Sequence, residues 1–454
     1  MIQCRAVVQA PPASSYGSSS ICATNVFCGQ ATRGAQLPRG FPSPAGTPGP
    51  LHSSGLKVAA CMLDLQKKRK SILGANSPSR RMAGKSLIGD TTMSCKPPVV
   101  ATLAVLLSLA GLANAQDSGP YKVLKIQLIG GDGGFDYVTA DPDGRNLYVA
   151  RSGPAGHIGV YNLDTLAQVG DIPGVSAHGG AVDTATGHGF ATSKPVTMFD
   201  AKTFAILKKI DVQGNPDGYL NDAYNHHFYV LSHSEPNITV LDDKDGSILG
   251  TIDIGGAPEQ AATDGHGKIY VDIEDKAAVA VIDANTMKMI GRYDVSSKGG
   301  GCAGLALDAK DNILFASCRD NKNMIILSAT DGHIITDLPI GVGSDGATFN
   351  PATMEAFSSQ GDGTLTVVQE NSPTSFSVEQ TVATPARAKV LTLDTKTNQI
   401  LTITAEFGPV PTAPAPAAGT TQPAGGPPPG APAWMRGPRA PMIPHSFQIL
   451  VIGK

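Results

Sequence analysis

The stretch Asp264-Gly-His-Gly-Lys-Ile-Tyr-Val-Asp-Ile-Glu-Asp-Lys-Ala-Ala-Val-Ala-Val-Ile-Asp-Ala-Asn-Thr286 decides the fold. It holds an acidic turn, an apolar strand at Ile269-Tyr-Val-Asp272, a third strand at Val279-Ala-Val-Ile-Asp283, and a second turn leading to Thr286-Met-Lys-Met-Ile290. Asp and Asn suit such turns because their side chains bond nearby backbone N–H groups, and Gly supplies positive φ.

Working outward, the same turn recurs at Asp141, Asp183, Asp222, Asp308, Asn350 and Asp394. Successive turns are 42, 39, 42, 44, 42 and 44 residues apart. Second strands follow as Leu147-Tyr-Val-Ala, Phe228-Tyr-Val-Leu and Ile313-Leu-Phe-Ala. Third strands follow as Ile158 to Asp164, Val196 to Asp200 and Ile238 to Asp242, and fourth strands as Thr165-Leu-Ala-Gln-Val, Thr203-Phe-Ala-Ile-Leu and Gly246-Ser-Ile-Leu-Gly. Four short β-rich strands repeated every 40-odd residues predict a propeller blade. The seventh unit has only three strands after its start, ending at Phe447-Gln-Ile-Leu-Val-Ile452, while Tyr121 to Ile129 stands unused before the first. The expected fold is therefore all-β: a seven-bladed β-propeller with four antiparallel strands per blade, its last blade closed by the N-terminal strand. Such closure pairs two edges that are an aggregation hazard when exposed.

These units resemble the YVTN-type β-propeller repeat family, the YncE-like exported proteins. Tyr-Val at 148–149, 229–230 and 270–271 carries the signature, and Val160 to Thr165 and Val281 to Thr286 match the pattern that follows it. The resemblance spans about Tyr121 to Lys454 and implies a fold rather than an activity. The signature is weak in units two, six and seven, and the last unit carries a Pro-rich insertion.

The net charge of −3 averages two unlike parts. Residues 1–115 hold 12 Lys and Arg against Asp64 and Asp90; residues 116–454 hold 23 against 36 Asp and Glu. At the boundary, Lys96 precedes the apolar run Val99 to Leu112 and then Ala113-Asn-Ala115, the three parts of a secretory signal peptide. The run is short for a bilayer core of about 30 Å; an uncleaved anchor is the rival reading. The expected organisation is an extension over 1–92, disordered or spurious, a signal peptide over 93–115, and a propeller over 116–454. Cleavage after Ala115 would deliver a periplasmic or secreted protein. The extension suits an upstream stretch read in frame, with the start at Met82 or Met93, or an organellar transit peptide.

Propeller geometry places the start of each first strand, and the loop after each second strand, on one face of the disc. The first set is Asp136, His178, Asp217, Glu259, Cys302, Asp345 and Arg387. The second is Arg151, Lys194, His233, Glu274, Cys318, Gln360 and Glu406. The functional reading is a polar pocket at the channel mouth for a small ligand or a divalent cation. The bland reading is a solvated rim. Candidate metal ligands are His178, Asp217, His233, Glu259 and Glu274, an imidazole–carboxylate set that suits a first-row metal; no HxH, HxxxH or CxxC spacing accompanies them.

Cys302 and Cys318 flank a hairpin centred on Lys310, which sets them opposite each other. Export would place them in an oxidising compartment, so a structural disulfide is predicted; a reactive thiol pair is the rival. Residues 408–445 form the Pro/Ala/Gly-rich insertion in blade seven and include Trp434, which suits a mobile loop or a lid on the same face.

No Walker loop, G-x-S-x-G elbow or haem motif is present. The expected function is a monomeric binding propeller that offers one face to a small ligand or protein partner. The alternative is a metal-assisted hydrolase or lyase, lactonase-like, with its site at the channel mouth. The acidic balance of residues 116–454 opposes nucleic acid, whose phosphates need Lys and Arg.

Overall fold

A computed structural model describes residues 119–410 and 440–454. The extension, the signal segment and most of the insertion, Trp434 included, lie outside them. The described chain is a seven-bladed β-propeller. Its strand β1 (Lys122–Leu128) comes before the first whole blade. Blade one is β2 (Gly134–Asp141), β3 (Asn146–Ser152), β4 (His157–Asn162) and β5 (Gln168–Pro173). Blade two is β6 (Ala177–Asp183), β7 (His188–Ser193), β8 (Val196–Asp200) and β9 (Ile206–Ile210). Blade three is β10 (Pro216–Asp222), β11 (His227–Ser232), β12 (Ile238–Asp242) and β13 (Ile248–Ile252). Blade four is β14 (Pro258–Thr263), β15 (Lys268–Ile273), β16 (Ala278–Asp283) and β17 (Lys288–Asp294). Blade five is β18 (Cys302–Asp308), β19 (Ile313–Cys318), β20 (Asn323–Ser328) and β21 (Ile334–Pro339). Blade six is β22 (Ser344–Asn350), β23 (Glu355–Gln360), β24 (Thr364–Ser372) and β25 (Ser375–Ala383). Blade seven holds β26 (Leu391–Asp394), β27 (Gln399–Thr404) and β28 (Gln448–Gly453). No described helix is long and apolar enough to cross a membrane.

Each blade is one antiparallel sheet, and the last has the order β1-β28-β27-β26. β1 pairs with β28 so that Ile126 faces Leu450 and Leu128 faces Gln448. Tyr121, next to β1, also ties to blade six: its hydroxyl donates to Glu355 Oε2 (2.5 Å), and its backbone exchanges two hydrogen bonds with Gln380. The first strands touch in a closed circle, β2 to β6, β10, β14, β18, β22, β26 and back to β2.

The acidic turns work as their chemistry dictates. Asp141 Oδ1 accepts the Gly144 N–H (2.9 Å), Asp183 Oδ2 accepts that of Thr186 (2.9 Å), and Asp264 Oδ1 accepts those of His266 and Lys268. A second set joins third to fourth strands. Asn162, Asp200 and Asp283 accept the N–H groups of Thr165, Thr203 and Thr286. Leu166, Phe204, Gly246 and Met287 then take positive φ. The threonines therefore belong to the turns, and the fourth strands begin at Gln168, Ile206 and Lys288, two or three residues after the sequence-based starts.

Between blades, alternate strand residues interlock. Tyr229, Leu231 and Val240 of blade three pack on Ile269, Val271 and Ile282 of blade four, all almost wholly buried. Leu147 and Val149 of blade one pack likewise on Leu401, Ile449 and Val451 of blade seven. Each such aliphatic side chain contributes about 1.5–3 kcal/mol by leaving water. Cys302 and Cys318 face each other in the β18–β19 register and are joined by a disulfide.

Candidate functional site

Counting five residues back from each acidic turn gives Asp136, His178, Asp217, Glu259, Ala303, Asp345 and Lys389. These positions lie where the first strands begin, on one face of the disc. Six of the seven are charged or imidazole side chains. The gap at Ala303 is filled by Arg319, which follows β19 in the same blade. His233 follows β11 in the matching way.

These side chains close into a ring of alternating charge. His178 Nδ1 lies 2.9 Å from Asp136 Oδ2 and 3.0 Å from Asp217 Oδ1. His233 Nε2 lies 3.3 Å from Asp217 Oδ2 and 2.8 Å from Glu259 Oε2. Arg319 bridges Glu259 (3.7 Å), Glu274 and Asp345. Lys389 pairs with Asp345 and stands 3.8 Å from Asp136, which completes the circuit. Every blade supplies at least one member. Under the ring, Tyr137 donates to the Glu259 carbonyl (3.2 Å) and sets its ring edge against Tyr219. Gly218 makes the approach possible, because a Cβ there would stand 2.4 Å from that same carbonyl oxygen.

The pairing sets the protonation. The hydrogen bonds to Asp136 and Asp217 raise His178 from 6.5 to about 10, and that to Glu259 raises His233 to about 9. Both are imidazolium at neutral pH. Burial pushes Asp217 up, yet the His178 hydrogen bond and the charges of His178, His233 and Arg319 outweigh it and hold it below the usual range. Burial raises Asp136 and Glu274 against their cationic neighbours. Asp272 on β15 is wholly buried and, among the described residues, neither carboxyl oxygen has a hydrogen-bond partner; burial, with Glu259 and Glu274 close by, drives its pKa far up.

Of the sequence-predicted residues, Asp136, His178, Asp217, His233, Glu259, Glu274 and Asp345 come together. Arg387 stands apart from the ion-pair circuit, its guanidinium 3.9 Å over the Phe407 ring, and Lys389 holds the ring position in blade seven. Arg151 is buried, bonded to the carbonyls of Gly134 and Asp132, and stacked on Phe447. Lys194 donates to the Gly214 carbonyl and Gln360 to that of Ser358. Glu406 is exposed beside Phe407. Cys302 and Cys318 serve the staple. Arg319 was absent from the sequence-based sets because they stopped one residue earlier, at Cys318. The position eleven residues after each acidic turn would have found both His233 and Arg319.

Within the ring, two trios have donor atoms within 4.8 Å of one another: Asp136, His178 and Asp217, and Asp217, His233 and Glu259. Asp217 belongs to both. A metal there would have to displace a proton from an imidazole that its carboxylate neighbours hold firmly.

No family model matches the chain, and no curated protein matches it. Among solved structures 1653 chains match, so the disc is a widely used architecture and function must be read from the ring. One, a chain from the crystal structure of a mitotic checkpoint complex, is 13% identical with a TM-score of 0.53. The match covers 71% of this chain and 95% of that one. At that identity the likeness is one of fold alone.

Proposed function

We propose that the protein is an exported binding propeller of the YVTN type whose mouth ring takes a small organic anion. One observation carries the ligand class: His178, His233 and Lys389 stand nearer to solvent than the acids they pair with. Their side chains are 45, 36 and 40% exposed, those of Asp217, Glu259 and Asp345 only 13, 12 and 7%. The acids and Arg319 form a floor and these three cations a rim. His178 uses Nδ1 and His233 uses Nε2 for these pairs, so each imidazolium keeps its second N–H for a ligand. Together with the Lys389 ammonium they can converge on a carboxylate by charge-assisted hydrogen bonds. The signal segment and the disulfide support the location outside the reducing cytosol, and the Tyr-Val repeats support the family.

Calorimetry with a panel of mono- and dicarboxylates tests the binding role. A saturating anion should lose at least tenfold in affinity in His178→Gln and in Lys389→Met. Absence of binding across the panel, or wild-type affinity in both variants, overturns it.

The shared Asp217 favours a second reading, a first-row metal bridging the two trios and supporting a hydrolase or lyase. Metal analysis after dialysis separates the two. A stoichiometric ion that is lost in Asp217→Ala favours the enzyme.

A further inference from the structure

The far face of the disc, where the first strands end in their acidic turns, holds a second cluster of charge. Asp308 ends β18, Asp311 lies in the turn that follows, and Glu370 comes from β24 of the next blade. One oxygen from each lies within 4.8 Å of the others. Glu370 is only 4% exposed and Asp308 2%. Among the described residues, both carboxylate oxygens of Glu370, and Oδ2 of Asp308, have no hydrogen-bond partner. Asp308 Oδ1 is already used by the Lys310 N–H (3.0 Å). Two buried carboxylates with unpartnered oxygens thus meet beside a third carboxylate, Asp311.

The repeat shows how unusual this is. In each of blades one to six one residue donates the same backbone hydrogen bond back to the turn between the first two strands, just past the third strand's end in blades one to five and within β24 in blade six: Leu163, Ala201, Asp243, Ala284, Ala329 and Glu370. Four are apolar. Asp243 has the Asn221 side-chain amide at 2.5 Å. Glu370 has no such donor. Lys310 is the nearby cation, but its side chain is 76% exposed and reaches only Asp311, at 3.6 Å. A carboxylate buried as a charge without a donor needs a partner.

We infer that Asp308, Asp311 and Glu370 form a site for a hard divalent cation, Ca²⁺ first, which pins blade five to blade six. The donors are all oxygen, the set that Ca²⁺ takes at about 2.3–2.6 Å. Oxygens spread over 4.8 Å can share one ion at that radius, and Asp311, the least buried, leaves room for water. The ion would bind on the face opposite the mouth ring and independently of it.

The test strips the purified protein with EDTA and titrates it with CaCl₂, then MgCl₂ and MnCl₂, by calorimetry and thermal melting. One saturable site and a rise in melting temperature are expected with CaCl₂. Glu370→Gln, which keeps the shape and removes the charge, should weaken binding at least tenfold; Asp311→Asn provides the same check at a more exposed position. Asp217→Asn, in the mouth ring, should bind the cation as the wild type does. No saturable binding of any of the three cations at about 10 mM, tenfold above the weakest natural Ca²⁺ sites, overturns the site. So does wild-type binding by both Glu370→Gln and Asp311→Asn, or loss of binding in Asp217→Asn alone.

Discussion

Arg319 is bonded to Cys318 through a single peptide, so the guanidinium that joins Glu259, Glu274 and Asp345 is anchored beside the disulfide. Its Nε also donates to the Ser344 carbonyl (2.8 Å), which leads the fork across the gap from blade five to blade six. The staple therefore fixes the root of the side chain that completes the ring where blade five offers only Ala303.

The two cysteines are 16 residues apart. Closing a loop of that size contributes about 3 kcal/mol by the chain-entropy account. Cys302→Ala/Cys318→Ala should lose about that much stability in urea titration, and a reductant should bring the wild type to the same midpoint. Coincident curves for wild type and double variant would exclude a stabilising staple.

The mouth ring predicts a fall in stability on the alkaline side. His178 and His233 sit at about 10 and about 9 when folded, against 6.5 unfolded. A raised folded value contributes stability that is complete below the unfolded one and is lost as pH climbs through the folded one. Melting temperature should decline between about pH 6.5 and pH 10. His178→Gln/His233→Gln should flatten that slope, and an unchanged profile in the double variant would contradict the assignment.

Arg319→Met should be the most damaging single change in the ring. It leaves Glu274 without its cation and Asp345, whose side chain is 7% exposed, with Lys389 alone. Breaking a buried pair from one side costs about 3–5 kcal/mol; the partial exposure of the guanidinium places this case at the lower end. Arg319→Lys should recover only part, since a point charge cannot fork between three carboxylates. Denaturant midpoints of the two variants measure the difference.

Much of this was legible in the sequence because the repeat fixes phase. The turn acids at Asp141, Asp183 and Asp264 set strand order and number, and Asp136, His178, Asp217 and Glu259 then fall at one position. Blade seven misled because β26 is only four residues long. Arg387 resembles a strand start, but Phe407 captures its guanidinium and Lys389 takes the true phase. Arg319 belongs to a blade whose ring position is Ala303. Its role depends on partners in blades four and six, which a single repeat does not display. The carboxyl cluster at Glu370 was hidden for the same reason: Asp308 and Glu370 lie far apart in the chain and meet only when two blades pack.

Removing residues 119–129 should expose the outer edge of β28, which pairs with β1 from Lys122 to Leu128. It also removes the Tyr121 hydroxyl from Glu355, which is wholly buried. The truncated protein should elute as aggregates in size-exclusion chromatography, as unpaired edges recruit other chains. A monomeric elution with an unchanged melting temperature would contradict the closure.

That pairing also sets a timetable. β1 is made early and β28 late, so β1 waits through the synthesis of six blades for its partner. A chain made from its N-terminal end presents Leu124, Ile126 and Leu128 before β28 can pair with them. The disc cannot latch until its final strand emerges, and long-range pairing of this kind is slow. A chaperone that shields the early strand would find its client in that interval, and its release would coincide with arrival of Gln448–Gly453.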